Sequence, residues 1–596
     1  MPDVPLTMSP ECISAVGTID SYILTLKSAT RLSAVQLAGY ADRKIVAGWG
    51  LTLEFSDRDR RLDILVDPHF PFHPPFLVLV DRPPFSTWPH IEIDGVLCLE
   101  SSYSAFDHSE CVNLLKADLL PEAYALVSAC LDGHNRDDLL DEFYSYWNLE
   151  ATGPKLWSLV EPQAPSRSLA VVCGHQYILL GENAASLNHW LDNRFGPREG
   201  RTVERGALLW LERPLFPSEY PKTVKDLWNI AETAKGRSLL SELVSPSPNA
   251  AIVLLGATTT NGPCLGGVLI PRPSRSSILS RGFRPGKVPE AILATRYFAG
   301  TTIATRSRTD RVDGPWIHGR DQNKETPVLE KTKVAILGCG SLGAPLAIEL
   351  ATSGVGHLVL VDPESLKWAN LGRHPLGAPY IDQPKASGVA KYIKSSFPHL
   401  IVESVDTSWE EAIRQNPRIL EECDLIVSAV GSWNAEDSLN SWHVKHGREP
   451  TVLYCWTEAF AVAGHAVAIQ KEGCARCHFD ERGKFDYEIT AWPTNATFRE
   501  PACGVTYQPY GLSELSFVIA MAAAAALDYL TKRDSGSGHR IWIGSERLLR
   551  EAGGTWTERV LEDYPARNLN GGLYVRTWEP QASCTGCGGA PVERKG

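Results

Sequence analysis

Hydrophobic and polar positions along this chain change their period twice. The opening carries a helical pattern, after which short runs such as GLTLEF, RLDILVD and FLVLVD alternate in the manner of strands before acidic, helix-forming sequence, DDLLDEFYSYWN. This predicts an α+β domain over residues 1–160. From 165 to 300, strand candidates LAVVCGHQYILLGE, GALLWLE and AAIVLLGATT are separated by polar turns, and PRPSRSSILSRGFRPGKVP reads as a loop. That stretch is expected to be an α/β linker or scaffold domain without a reactive constellation. From TKVAILGCGSLGAPLAIELATSGVGHLVLVD onward the order is strand, glycine turn, helix, strand, which predicts a Rossmann-like α/β domain over 305–596. AMAAAAALDYL reads as a buried helix within it.

A length of 596 residues accommodates such a multidomain chain. The net charge of −12, with no long basic run, argues against a nucleic-acid or anionic-membrane binder, so a protein or nucleotide partner is expected. No stretch reads as the ~20 apolar residues of a membrane span, and the first residues lack the basic start and apolar core of a secretory signal; a cytoplasmic location is expected. Fourteen cysteines scattered through a chain of this size point to thiols, metal ligands or catalytic groups rather than a disulfide scaffold.

Six features carry chemistry. Gly338, Gly340 and Gly343 lie between strand and helix, where missing side chains let backbone N–H groups approach a phosphate. Asp362 ends the next strand and is placed to accept ribose hydroxyls, which an NAD dehydrogenase would use equally well. Asn370, Arg373 and Lys385 follow, a concentration of phosphate-binding polarity that suits triphosphate cleavage. Two Cys-x-x-Cys pairs, Cys474 with Cys477 and Cys584 with Cys587, complete a closed tetrahedral zinc site if they meet, and are redox motifs if they do not. Cys503 precedes the apolar helix, where a thiol ionises more easily; the plain alternative is a packing cysteine. Cys98 follows a proline-rich strand region, with the lone His90 eight residues before it.

Residues 310–596 resemble the adenylation domain of the ubiquitin-activating family, which includes the bacterial sulfur-carrier adenylyltransferases. The resemblance rests on the glycine loop, the ribose acid, the Asn370-x-x-Arg373 pair and the Gln383-Pro384-Lys385 run. It implies that Gly338, Gly340, Gly343, Asp362, Asn370, Arg373 and Lys385 hold ATP while the terminal glycine carboxylate of a ubiquitin-like protein attacks the α-phosphate. Arg320, in IHGRDQN, is similar to an arginine that family members present to the phosphates, often across a homodimer. Magnesium is implied, but where the family commonly has its metal-associated aspartate this chain reads GSWNAED; Glu436 and Asp437 are both candidates and the ligand stays unassigned. The resemblance also makes Cys503 the thioester cysteine.

Residues 15–150 resemble a ubiquitin-conjugating enzyme through Pro71, Phe72, Pro74 and Pro75, then Gly95, Cys98 and Leu99. Cys98 is thereby implied as a second thioester cysteine. The usual His-Pro-Asn is replaced by WPHIE, so the hydrogen bond supplied by its asparagine would fall to His90. Together the two resemblances imply a relay from ATP through Cys503 and Cys98 to a target amine, in fusions similar to those of bacterial anti-phage operons. The rival expectation is a sulfur-carrier adenylyltransferase whose N-terminal domain only docks a partner. The modifier and target are not named by any residue.

Overall fold

The computed structural model describes residues 8–103, 110–244, 249–273, 279, 281–284, 288–493, 496, 498–499, 506–507, 510–533, 537–565 and 569–588. These fall into two compact units. The first comprises residues 1–182 and 203–310, and the second residues 183–202 and 311–596.

The first unit begins with helix Pro10–Ile23, capped by the Ser9 side chain and started by proline. Its Cys12, Ala15, Val16, Ile19 and Ile23 recur at helical spacing and are buried. They pack on an antiparallel meander of Thr30–Arg31, Ala47–Glu54, Asp59–Val66 and Phe76–Leu79, in that order. Trp49 is fully buried and its Nε1–H donates to Asp20 Oδ1 at 2.7 Å, tying sheet to helix. Beyond the last strand the chain turns through Gly95 (φ 96°), where a Cβ would lie 2.8 Å from the Leu79 carbonyl, and delivers Cys98 to the surface.

The same unit contains a second, mixed sheet. A hairpin of Ala251–Thr259 and Gly262–Ile270 is extended by Val203–Trp210, parallel to the first of these, and then by Arg167–Cys173 and Ile178–Gly181. Helix Phe143–Leu149, read from sequence as the end of the first domain, packs under this sheet. Trp147 is fully buried against Gly266, where a Cβ would come within 2.6 Å of the indole, and its Nε1–H donates to the Ser307 carbonyl at 3.1 Å. Much of 271–289 lies outside the described residues.

In the second unit an eight-stranded sheet runs Ile401–Val405, His357–Val361, Lys333–Leu337, Leu425–Ser428, Thr451–Thr457, Ala463–Ile469, Gly538–Ile543 and Gly572–Thr577. The first five strands are parallel and the last three antiparallel. The order in which successive strands are added to the sheet reverses between Lys333–Leu337 and Leu425–Ser428, the switch point where ligands bind in such sheets. Strand alternation divides the core: Val334 and Ile336 face helices Gly343–Ser353, Lys385–Ser396 and Leu512–Leu530, while Ala335 and Leu337 face Trp409, Leu420 and Leu439. Helix Ala184–Phe195 belongs here too; Asn193 Nδ2 donates to the Pro398 carbonyl at 2.9 Å.

The expectation that no stretch has the length of a membrane span needs correction, while that of a buried helix over AMAAAAALDYL holds. Leu512–Leu530 is, at 19 residues, long and apolar enough to cross a membrane. It instead buries Leu515, Val518, Ile519, Ala522 and Ala526 in the core of the second unit, with Val518 filling the space left by Gly464.

Replacing Trp147 with Ala should destabilise the first unit by about 3–5 kcal/mol, because a cavity opens beneath Gly266 and the Ser307 carbonyl loses its donor. Urea denaturation of the full chain followed by circular dichroism measures this; an unchanged midpoint would show that the helix does not anchor the sheet.

Candidate functional site

At the switch point the backbone after Lys333–Leu337 turns through Gly338, at φ 89°, and enters helix Gly343–Ser353. A Cβ at Gly343 would lie 1.8 Å from the Gly338 carbonyl oxygen, so only glycine permits this closure. Gly340 has no atom within 4 Å of such a Cβ and faces open space. The buried Asp362 carboxylate accepts the Cys339 N–H at 2.6 Å and the Glu364 N–H at 2.7 Å. Burial raises its pKa above the ordinary carboxylate range, opposed by these two donors.

The opposite side of the loop is held by a residue that motif reading passed over. His374 is buried; its Nε2 bonds the Cys339 carbonyl at 2.9 Å, and its Nδ1 accepts the Leu376 N–H at 3.2 Å. Accepting at Nδ1 fixes the Nε2–H tautomer, and desolvation lowers the pKa, keeping the ring neutral. Its signal was adjacency to Arg373.

Arg373 lies over the Tyr510 ring at 5.4 Å, and the Tyr510 hydroxyl shares a 2.7 Å hydrogen bond with Ser341 Oγ in the glycine loop. Asn370 caps its own turn, accepting the Lys367 N–H at 3.0 Å. Lys385, at the start of its helix, is buried and pairs with Glu364, whose side chain is 70% exposed. The structure therefore brings Gly338, Gly340, Gly343, Asp362, Asn370, Arg373 and Lys385 to one end of the sheet.

Arg320 is elsewhere. It is exposed, at φ 48°, two residues after His318, whose ring lies 3.2 Å from a Cβ placed at Gly354. Gly354 caps the far end of the helix that starts at Gly343, about 16 Å away by helical rise.

The two acidic candidates after the fourth strand separate as well. Asp437 is engaged by the Arg476 guanidinium, with Nε donating at 2.6 Å. Glu436 accepts from Ser428 Oγ at 3.4 Å, at the end of the strand that pairs with Leu337. Burial pushes its pKa up to about 7.

In the first unit Cys98 is exposed beside a cavity of about 210 Å³ between Pro74–Pro75 and Glu92. Desolvation of its thiol, then the Glu92 and Glu142 carboxylates, push its pKa up to about 11. The Cys98 N–H donates to the His90 carbonyl at 2.8 Å. The His90 imidazole, however, faces carboxylates: Nε2 is 3.0 Å from Asp138 and Nδ1 is 3.3 Å from Glu142. Glu142 first, and Asp138 with it, raise its pKa to about 9 against the pull of burial. Both ring nitrogens are thus committed, and His90 touches Cys98 through the backbone. The expected side-chain hydrogen bond toward an oxyanion is not formed in this arrangement, because two carboxylates capture the ring.

The two Cys-x-x-Cys pairs meet. All four Sγ atoms lie within 4.8 Å of one another, with Cys474 to Cys584 and Cys477 to Cys587 both at 3.6 Å. A tetrahedral zinc with bonds of about 2.3 Å requires sulfur separations of about 3.8 Å, so the donor set fits. Its supports are Trp578 Nε1–H on the Cys474 carbonyl at 3.0 Å, the Gln581 N–H on Cys477 Sγ at 3.5 Å, and Asn440 Oδ1 accepting the Ala475 N–H at 2.8 Å. Cys503 lies outside the described residues.

Two outcomes follow from this geometry. The purified chain should carry one zinc, and Cys584→Ser should lower the metal content measured by atomic emission while leaving the first unit's protease pattern unchanged; full zinc in the variant would refute the shared site. His90 stabilises the first unit fully below about pH 6.5, its unfolded value, and loses that contribution as pH rises through 9. Partial exposure limits the effect to about 1–2 kcal/mol. Urea midpoints of wild type and His90→Asn should therefore converge between pH 6.5 and 9.5, and a constant difference would exclude the ion pairs as its source.

The prokaryotic E2 family B matches residues 22–153, and the ThiF family matches residues 319–541. The "ATP-dependent ubiquitin transferase-like protein Cap2" of Pseudomonas aeruginosa (strain BWHPSA011 / Pa011) is 26% identical over 508 residues, covering 80% of this chain and 87% of that one. The protein of the same name from Escherichia coli (strain TW11681) is 21% identical over 517 residues, covering 80% and 85%. Among solved structures, E. coli MccB with MccA-N7isoASN aligns at 16% identity and a TM-score of 0.31 over 44% of this chain and 68% of that one. The chain thus joins a prokaryotic E2 family B domain to a ThiF-family domain in one polypeptide, as a fused enzyme of the ubiquitin-like activating and conjugating type.

Proposed function

We propose that this protein activates the terminal glycine of a ubiquitin-like modifier with ATP, captures it on Cys503, passes it to Cys98 and conjugates it to a target amine. The observation that carries this reading is the convergence of the glycine loop, Asp362, Arg373 and Lys385 at the switch point of a chain that also presents an exposed Cys98.

In the first step a carboxylate oxygen of the modifier forms a bond to the α-phosphorus and pyrophosphate leaves. The glycine loop receives the phosphates, Asp362 accepts a ribose hydroxyl, and Asn370, Arg373 and Lys385 stabilise charge on the phosphoryl oxygens. Lys385 would exchange Glu364 for phosphate, which the exposure of Glu364 permits. Magnesium, when bound, would neutralise phosphate charge; of the two candidates Glu436 would hold it, since Asp437 is engaged by Arg476. Arg320, a helix length from its own loop, would serve the phosphates of a second copy in a homodimer.

In the second step the Cys503 thiolate attacks the acyl carbon and AMP leaves. Six residues lie between Cys503 and Tyr510, which is hydrogen-bonded to the glycine loop, so the chain allows at most about 25 Å between the Cα atoms of the two. In the third, the Cys98 thiolate displaces Cys503. A target amine then attacks the acyl carbon, loses a proton and releases Cys98. His90 acts here as a positioning residue, fixing the Cys98 backbone and the carboxylates of Asp138 and Glu142. The relatives' association with ubiquitin transfer extends to this chain as part of the same reading, with bacterial defence its expected setting.

With modifier and ATP supplied, Cys503→Ala should retain pyrophosphate exchange but form no thioester on a non-reducing gel, and Cys98→Ala should retain the Cys503 adduct while conjugation stops. Conjugates persisting without Cys98 would reduce the N-terminal domain to a docking module. Arg373→Ala should slow adenylation on the order of 100-fold with little change in modifier binding; equal losses in both would make it a contact residue.

A further inference from the structure

A cavity of about 490 Å³ in the first unit has no part in the relay above. It opens between the segment that leads to His90 and the mixed sheet, and its lining includes Arg136, Lys222 and Arg306 against the single carboxylate of Glu150. Arg306 spends its charge on Glu150, at 2.6 Å, and its guanidinium is fixed over the Trp147 and Tyr220 rings at 5.7 and 5.1 Å. Its Nη1 and the Tyr220 hydroxyl have no hydrogen-bond partner among the described residues, although Tyr220 is only 3% exposed.

Arg136 and Lys222 form no ion pair among the described residues and are exposed at the cavity. The Arg136 guanidinium lies over the Phe216 ring at 4.7 Å, which holds a second planar cation on an aromatic support. The lining therefore carries a net charge of two, with Phe85 and Phe216 as apolar walls. Volumes of roughly 300–1,000 Å³ with apolar walls and a few placed polar groups suit small molecules, and an uncommitted arginine with a lysine suits phosphate. The site also touches the Cys98 region: Phe85 and Tyr146 have ring centroids 6.1 Å apart, and the Tyr146 hydroxyl accepts the His90 N–H at 3.0 Å.

We propose that this cavity is a second ligand site, separate from the glycine loop, for a small phosphate monoester with a planar ring, of the nucleoside-monophosphate class. The phosphate lies between Arg136 and Lys222 and the ring against the aromatic walls. This goes beyond the conjugation reading and does not depend on it.

Hydrogen–deuterium exchange of the full chain tests the site, with AMP as probe and adenosine as its phosphate-free control. AMP should protect segments 85–89 and 216–222 where adenosine at equal concentration does not. The Arg136→Glu, Lys222→Glu double variant, changed only at exposed positions, should raise the AMP midpoint at least tenfold. Lys222→Gln alone should raise it in the same direction should the double variant lose its fold. No AMP protection in the wild type, equal protection by adenosine, or an unchanged midpoint in the variants would overturn the proposal. Protection of 338–343 by ATP in the same samples reports separately on the glycine loop.

Discussion

The contact on which the second unit depends is one that has no side chain in it. Gly343 approaches the Gly338 carbonyl so closely that a methyl group would overlap it at 1.8 Å. That approach brings the first helix onto the strand and leaves Gly340 facing open space at the positive end of the helix. A loop made of glycines loses much conformational entropy on ordering, so it must be held from outside. Asp362 holds it through the Cys339 N–H and His374 through the Cys339 carbonyl. A single residue of the loop is thereby gripped at both of its backbone groups by two buried side chains, while Ser341 is gripped through Tyr510. The arrangement pre-positions the loop before any phosphate arrives, which is what electrostatic stabilisation of a developing charge requires.

Much of this could be read in the sequence because its cause is local. Strand, glycine turn and helix follow from period and from residues whose backbone needs are specific, and the two cysteine pairs follow from ligand spacing. What could not be read depends on pairing across distance. His374 looks like any histidine until Cys339 is found opposite it. His90 looked available to a thioester, but Asp138 and Glu142 arrive from a helical region some fifty residues on and take both its nitrogens. The division of the first unit also escaped the pattern: Trp147 sits in sequence that reads as the end of one domain, yet its partner is Gly266, a vacancy over a hundred residues away. The apolar run 512–530 reads as a buried helix, but its partner does not: burial against Gly464 in an antiparallel strand is not a property of the run itself.

Helix Trp433–Lys445 shows how two demands share one element. Successive helical residues point about 100° apart, so Glu436 and Asp437 serve different neighbours. Glu436 reaches Ser428, which pairs with Leu337 beside the glycine loop, and Asp437 reaches Arg476 inside the first Cys-x-x-Cys turn. Asn440, one turn later, holds the Ala475 N–H of that same turn. Four thiolates closing on one ion would therefore fix not only the C-terminal segment but the helix that carries Glu436. A closed site of this kind has no chemistry of its own to offer, yet its loss would be felt at the other end of the helix.

The electrostatics around Cys98 give the proposed relay its direction. With Glu92 and Glu142 nearby and a pKa pushed to about 11, only a small fraction of this thiol is ionised near neutral pH. Such a cysteine is a poor target for stray electrophiles and oxidants, which react with thiolates. Once ionised it is a strong nucleophile, since nucleophilicity rises with pKa. It therefore needs its partner thioester delivered to it, so that proximity replaces ionisation as the source of rate. Carrying the activating and conjugating domains on one polypeptide supplies that proximity through effective concentration, without requiring the two domains to recognise each other tightly.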